Sequence, residues 1–165
     1  MRYRPTKNVF ILGITSFFND LSSEMVLSVF PAFFVSVLKA GAGSLGLVEG
    51  IAEGAANIIK IYSGRLSDFV RKRKPFIIAG YSLSVLTRPL YVFVSNVAGV
   101  IGLRFADRVG KGLRDAPRDA VISLSTPPEQ LGRAFGYHRM WDTLGAIAGP
   151  LLAYVILSRY PAGFS

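Results

Sequence analysis

Five side chains in this sequence could move a proton or hold a charged solute, and each lies within a stretch that is otherwise largely apolar or helical. They are Asp20, Glu24, Glu53, Arg108 and Asp142. A carboxylate in a low-dielectric setting holds its proton, and a neighbouring arginine reverses that preference. Relative motion of the two groups, or arrival of a substrate, therefore loads or releases a proton. With a helical rise of about 1.5 Å per residue, Asp20 falls about 18 Å above the inner end of the first helix and Asp142 about 15 Å above that of the fifth. Glu53 and Arg108 fall about 14 and about 15 Å below the outer ends of the second and fourth. In a hydrocarbon core about 30 Å thick these four are expected at one level. Glu24 is one turn above Asp20, and Glu49 one turn above Glu53, so each would extend the path outward. The competing role for every one of them is a buried charge paired only to hold helices together. His138, four residues before Asp142, is open to the same choice between a proton relay and a packed polar residue. Arg88, Lys60 and Arg159 are expected to reach for an interface.

Other chemistries find no support in the residues. The chain has no cysteine, which removes disulfides, thiolate metal sites and cysteine nucleophiles. Gly110-Lys111-Gly112 lacks the order of a phosphate-binding loop. Neither a Ser/His/Asp arrangement, a metal cluster nor a dinucleotide fingerprint is legible, so neither an enzyme nor a cofactor is expected.

The elements that must position these residues are long apolar helices. Half of the 165 residues are hydrophobic (51%), yet the net charge is +9. The placement of charge decides between a basic soluble protein and a membrane protein. Between Val9 and Leu38 the ionised residues are Asp20 and Glu24, in a run longer than the roughly 20 residues a spanning helix needs. Many of the cations sit in short connections rather than on one exposed stripe, which argues against a nucleic-acid partner. The start, Met1-Arg2-Tyr3-Arg4-Pro5-Thr6-Lys7, resembles a signal peptide, but the apolar run is too long and lacks a small-x-small cleavage site. The expected fold is all-α, a polytopic transmembrane helix bundle with spans at about 8–38, 45–62, 76–93, 98–124 and 132–158. Arg2, Arg4 and Lys7 put the N-terminus in the cytoplasm, and the cation-poor connections at 39–44 and 95–96 are expected outside. Gly46, Gly50 and Gly54 form a smooth stripe that would admit a close helix. Helix four, with Arg104, Asp107, Arg108, Lys111, Arg114, Asp115, Arg118 and Asp119, is either a span facing a bundle interior or a surface helix. The second choice would turn helix five the wrong way round.

The most basic run, from Gly64 to Pro75, is read as a cytoplasmic loop. Its Gly64, Leu66, Asp68, Lys72 and Arg73 resemble the pattern Gly-x-Leu-x-Asp-(Arg/Lys)-x-Gly-(Arg/Lys)-(Arg/Lys) between helices two and three of the major facilitator superfamily. Phe69 replaces a cation of that pattern, and Arg71 replaces its second glycine. Arg108-Val109-Gly110-Lys111-Gly112 resembles the family's fourth-helix motif, with Lys111 for the usual glutamine. Gly136, Gly145, Gly149 and Pro150 reproduce the fifth-helix pattern Gly-x8-Gly-x3-Gly-Pro, while Ala153 and Tyr154 replace its closing glycines. The stretches 17–25 and 107–120 resemble one bacterial branch whose substrates are mostly unassigned.

The resemblance implies the N-terminal part of a twelve-helix transporter in a bacterial-type inner membrane, with the C-terminal half absent and needed as partner. It implies secondary active transport of a small-molecule substrate, coupled to protons, and the helix-five motif tilts the expectation to an antiporter working in efflux. Gly64, Asp68, Lys72 and Arg73 would form a conformational-switch loop. The lipid bilayer is the remaining expected partner, and metals are not expected. The rival reading is a truncated, non-transporting membrane protein that acts only as a helix-bundle partner.

Overall fold

The computed structural model describes residues 4–37, 41–94 and 96–159. Arg2, the outer turn at 39–40 and Ser95 lie outside the described residues. Among those described there are five long helices and no strand. Helix α1 runs Lys7–Ala32 and continues as a wider π-type turn, Phe33–Val37, just after Pro31, whose missing N–H breaks the regular ladder. Helix α2 is Ala42–Val70 and α3 is Lys74–Leu90, the latter closed by a tighter turn, Tyr91–Phe93. Helix α4 is Val97–Leu124; Asn96 caps it by accepting the Gly99 amide at 2.7 Å. After a short turn at Pro128–Gln130, helix α5 spans Leu131–Arg159.

The second helix corrects the sequence reading. It was expected to end near Tyr62 with a loop from Gly64, but it runs on to Val70, placing Gly64 and Asp68 inside α2 and leaving Lys72 and Arg73 in the connection. The physical reason is that apolarity marks where a bilayer ends, whereas a helix continues until a residue breaks it. Ser63 and Ser67 fold their hydroxyls onto the carbonyls of Lys60 and Gly64 without interrupting the helix. The break comes at Arg71, which adopts the left-handed conformation (φ 54°, ψ 22°) and donates its amide to the Asp68 carbonyl. Arginine thus takes the conformation that glycine adopts most easily. Pro75 then opens α3 in the first turn, where its missing N–H costs nothing.

The described residues form two compact units. One contains the chain up to Ser28 together with the segment from Arg118 onward, so that α1 packs on α5. Its contacts advance by four residues on both helices, Gly13 with Trp141, Phe17 with Gly145 and Leu21 with Gly149, so α1 and α5 run parallel. The other unit is Val29–Pro117. In it α2 and α4 run parallel, with contacts from Glu49–Arg104 through Glu53–Arg108 to Gly64–Ala116. Helix α3 runs antiparallel to α4, since Gly80 meets Gly110 and Arg114 while Arg88 meets Asp107. A methyl on Gly80 would stand 2.6 Å from the Gly110 carbonyl oxygen, so these helices touch backbone to backbone. An aromatic cluster of Phe30, Phe34 and Tyr91, with Val100, closes one end of this unit.

Beside this apolar cluster, the partition of other side chains is unlike that of a water-soluble fold. Ser16, Asn19, Ser63, Ser67, Ser84, Thr87, Arg104, Asp107, Arg114 and His138 are buried, while Phe18, Leu47, Ile51, Ile58, Ile61, Ile78, Leu86, Ile147 and Leu151 are exposed. Water would drive the opposite partition; hydrocarbon around the helices permits this one. By length and composition the stretches Lys74–Phe93 and Pro128–Arg159 can cross a membrane unaided. Helix α1 carries Asp20 and Glu24, α2 carries Glu49 and Glu53, and α4 carries the run of charges from Arg104 to Asp119.

Candidate functional site

In the α2–α3–α4 unit, charges form a continuous ladder. Glu49 and Glu53 lie one turn apart on α2, and Arg104, Arg108 and Lys111 climb the facing side of α4. At one end the Arg104 guanidinium is clamped in parallel, Nε to Glu49 Oε1 at 2.6 Å and Nη2 to Oε2 at 2.8 Å, with the arginine side chain 4% exposed. Its plane also lies over the Phe30 ring. One turn on, Arg108 stands 3.2 Å from Glu53 and 3.8 Å from Glu49, and Lys111 stands 3.6 Å from Glu53. The ladder opens in that direction, since the Lys111 and Glu53 side chains are 38% and 45% exposed.

A second face of α4 extends the network toward α3. Asp107 lies 3.7 Å from both Arg88 and Arg104. Ser84 donates its hydroxyl to the Asp107 carbonyl and accepts a 2.8 Å bond from Arg114, whose guanidinium stacks on Tyr81. Arg114 and Ser84 are buried polar residues that sequence reasoning did not place in the site. The available signal was glycine at 80 and 110: helices in backbone contact force the side chains flanking the crossing into one small space.

The α1–α5 unit holds the remaining acids. His138 Nδ1 lies 3.4 Å from Asp142 Oδ2 on the next turn. His138 Nε2, Trp141 Nε1 and Asp142 Oδ1 are buried and find no hydrogen-bond partner among the described residues. Buried Ser16 and Asn19 lie on α1, and Asn19 donates to Asp20 at 3.1 Å. The register alters the expected depth relation within this pair of helices. A methyl on Gly145 would lie between the Phe17 carbonyl oxygen and the Leu21 amide, and one on Gly149 between the Leu21 carbonyl oxygen and the Met25 amide, so Asp142 is level with Ser16 and Asp20 sits four residues further, about 6 Å along the axis. The two helix ends are not level: in this register Leu131 lies below the start of α1 at Lys7 by about two residues, about 3 Å. Asp20 and Arg108 belong to different units.

The motif residues divide by their surroundings. Methyl groups on Gly145 and Gly149 would stand 2.5 Å and 2.6 Å from the carbonyl oxygens of Phe17 and Leu21, so both are sites of close α1–α5 contact, the second beside Glu24. Gly136 has no neighbour within 4 Å of such a methyl, and neither do Gly46, Gly50 and Gly54. The expected close helix at the α2 stripe is therefore absent among the described residues. Pro150 follows Gly149 within α5. At the α2–α3 connection, Arg73 Nη2 donates to Asp68 Oδ1 at 2.5 Å, bridging the end of one helix and the residue before the next. Lys72 lies within that connection.

A family model described as Major Facilitator Superfamily matches residues 12–164. An uncharacterised MFS-type transporter of Methanocaldococcus jannaschii is 43% identical over 152 residues, which are 92% of this chain and 38% of that protein. A multidrug resistance protein of Aeromonas hydrophila is 27% identical over 147 residues, covering 89% of this chain and 37% of the relative. A protein of Lactococcus lactis named as a multi-drug resistance efflux pump homolog is 25% identical over 152 residues, 90% and 37% of the two chains. The chain thus spans well under half the length of the relatives it matches.

Proposed function

The chain belongs to the major facilitator superfamily, and on that premise we propose that it forms one wall of a proton-coupled secondary transporter that exports a small molecule. Proteins of this family are integral membrane proteins and transporters rather than enzymes, and the buried polar and exposed apolar side chains suit that setting. The observation that carries the reading is the ladder from Glu49–Arg104 to Glu53–Lys111, tight at one end and loose and open at the other. A charge network kept only for cohesion would be closed throughout. Ionised groups inside a membrane protein concentrate along solute and proton paths. Asp20, Glu24 and Asp142 supply the titratable groups of the second unit, and the Asp68–Arg73 pair, with Gly64 and Lys72, supplies a connection that senses helix movement. The names of the Aeromonas and Lactococcus relatives favour the outward direction.

A second helical bundle, contributed by the additional length that the relatives possess, would complete the path. The cations at Arg4 and Lys7 and at Arg71, Lys72, Arg73 and Lys74 favour a cytoplasmic N-terminus and a cytoplasmic α2–α3 connection.

The test uses the full-length gene product in liposomes with a pH-sensitive dye trapped in the lumen, and benzoate, phenylphosphate and ethidium as probes. Proton movement driven by at least one probe is expected. Asp20→Asn should abolish proton-driven uphill transport while sparing downhill exchange in part, and Arg108→Ala should damage both. Persistence of pH-dependent uphill transport in Asp20→Asn would move the coupling site to Glu53 or Asp142. Silence of the dye toward every probe, with folded wild-type protein, would refute the transporter reading.

A further inference from the structure

We infer that the transported solute carries an oxyanion, a carboxylate or phosphate group, and that Arg108 and Lys111 receive it; the inference rests on the transporter reading above. The first observation is the unequal use of two arginines one turn apart. Arg104 directs its fork onto both oxygens of Glu49 at 2.6 and 2.8 Å. Arg108 has the same planar set of five N–H donors, but its approaches to carboxylates are 3.2 and 3.8 Å, and its buried Nε has no hydrogen-bond partner among the described residues. A guanidinium only 14% exposed, with its fork largely unused, is arranged for a second planar or tetrahedral oxyanion.

The second observation is charge. Arg88, Arg104, Arg108, Lys111 and Arg114 are joined in one network to Glu49, Glu53 and Asp107. Five cations thus meet three carboxylates, and Asp115, one turn beyond Lys111 on α4, brings the acids only to four. An excess of positive charge in a poorly solvated space favours an anionic guest and repels a cationic one. The third observation is access. Arg104 and Arg114 are sealed, whereas the Lys111 side chain at the open end is 38% exposed beside Arg108. A solute entering there meets a compact cation first and a fork behind it.

The experiment measures binding rather than transport, so that its failure and that of the transporter reading are separable. The purified full-length gene product in uncharged detergent is titrated at constant ionic strength with phenylphosphate, benzoate and benzylammonium, followed by calorimetry and thermal unfolding. Saturable binding of at least one oxyanion and none of benzylammonium is expected. Arg108→Gln should weaken it by roughly 10- to 100-fold, the range for one charge-assisted contact. Lys111→Gln should weaken it less. Arg108→Lys keeps the charge without the fork and should lose most of the affinity, which decides the matter where Arg108→Gln fails to fold. Nanodiscs of phosphatidylcholine with and without phosphatidylglycerol separate a soluble solute from a lipid headgroup. Binding of benzylammonium alone, oxyanion affinity unchanged in both Arg108 variants, or displacement of phenylphosphate by phosphatidylglycerol would each overturn the assignment.

Discussion

Replacement of Gly145 and of Gly136 by alanine should have opposite effects on stability, although both glycines belong to the same fifth-helix pattern. A methyl at Gly145 would stand 2.5 Å from the Phe17 carbonyl oxygen and 3.1 Å from the Leu21 amide, against 3.4 Å or more for an ordinary contact. The obstacle is backbone on a parallel helix, so no side chain can swing away, and α1 and α5 must separate by most of an ångström. Separation there also loosens the approach at Gly149, whose methyl would meet the Leu21 carbonyl oxygen. Overpacking of this kind costs about 1–3 kcal/mol, and the rigid obstacle puts Gly145→Ala toward the upper end. Alanine returns up to about 1 kcal/mol of helix propensity, leaving a net loss of about 1–2 kcal/mol. Gly136→Ala meets no atom within 4 Å and keeps the propensity gain, so it should be neutral to about 1 kcal/mol stabilising. The assay is reversible unfolding of the two variants of the full-length gene product in one detergent, where the difference between them should reach about 2–3 kcal/mol. Equal midpoints, or a Gly145→Ala protein more stable than Gly136→Ala, would refute the α1–α5 register.

Further predictions concern the α2–α3 connection and the ladder. Arg71→Gly removes the strain of a left-handed arginine, about 1–2 kcal/mol, less the entropy that glycine adds to the unfolded chain. A higher unfolding midpoint by the equivalent of about 0.5–1 kcal/mol is expected, and a lower one would show that the Arg71 side chain holds the turn. Asp68→Asn breaks a pair whose carboxylate is 61% exposed, so folded yield should stay near wild type while transport by the full-length protein falls. Wild-type transport would reduce Asp68 to a surface residue. Arg104→Ala strands Glu49 at its tightest contact and should cost about 3–5 kcal/mol, with Glu49→Leu/Arg104→Met recovering most of the loss. Strict additivity of the two replacements would refute the clamp.

Helices α3 and α5 were legible as apolar runs long enough to cross a bilayer, and α4 as charges of both signs recurring at helical spacing. The end of α2 was not legible. Residues 63–70 are polar enough to stand in water, and polarity says nothing about whether a helix stops; the stop depends on Arg71 adopting a conformation that its type does not announce. Depth counted from the helix ends singled out Glu53 and Arg108, with Glu49 one turn from Glu53, and the structure brings these three side chains together. Which α4 cation meets which α2 acid depends on how the helices register, and neither helix shows that alone. Register itself is set by which small residues meet. Gly145 and Gly149 seat α5 against Phe17 and Leu21, and that choice, invisible from either helix alone, carries Asp142 toward the cytoplasmic end relative to Asp20 under the proposed orientation. Two acids one helix apart in a proton path need not share a level. A step of about 6 Å along the axis between Asp20 and Asp142 is too long for direct proton transfer and requires an intermediate carrier. The buried hydroxyl of Ser16, the amide of Asn19 and the unpartnered His138 Nε2 are the polar groups on the facing helices from which such a relay would have to be built.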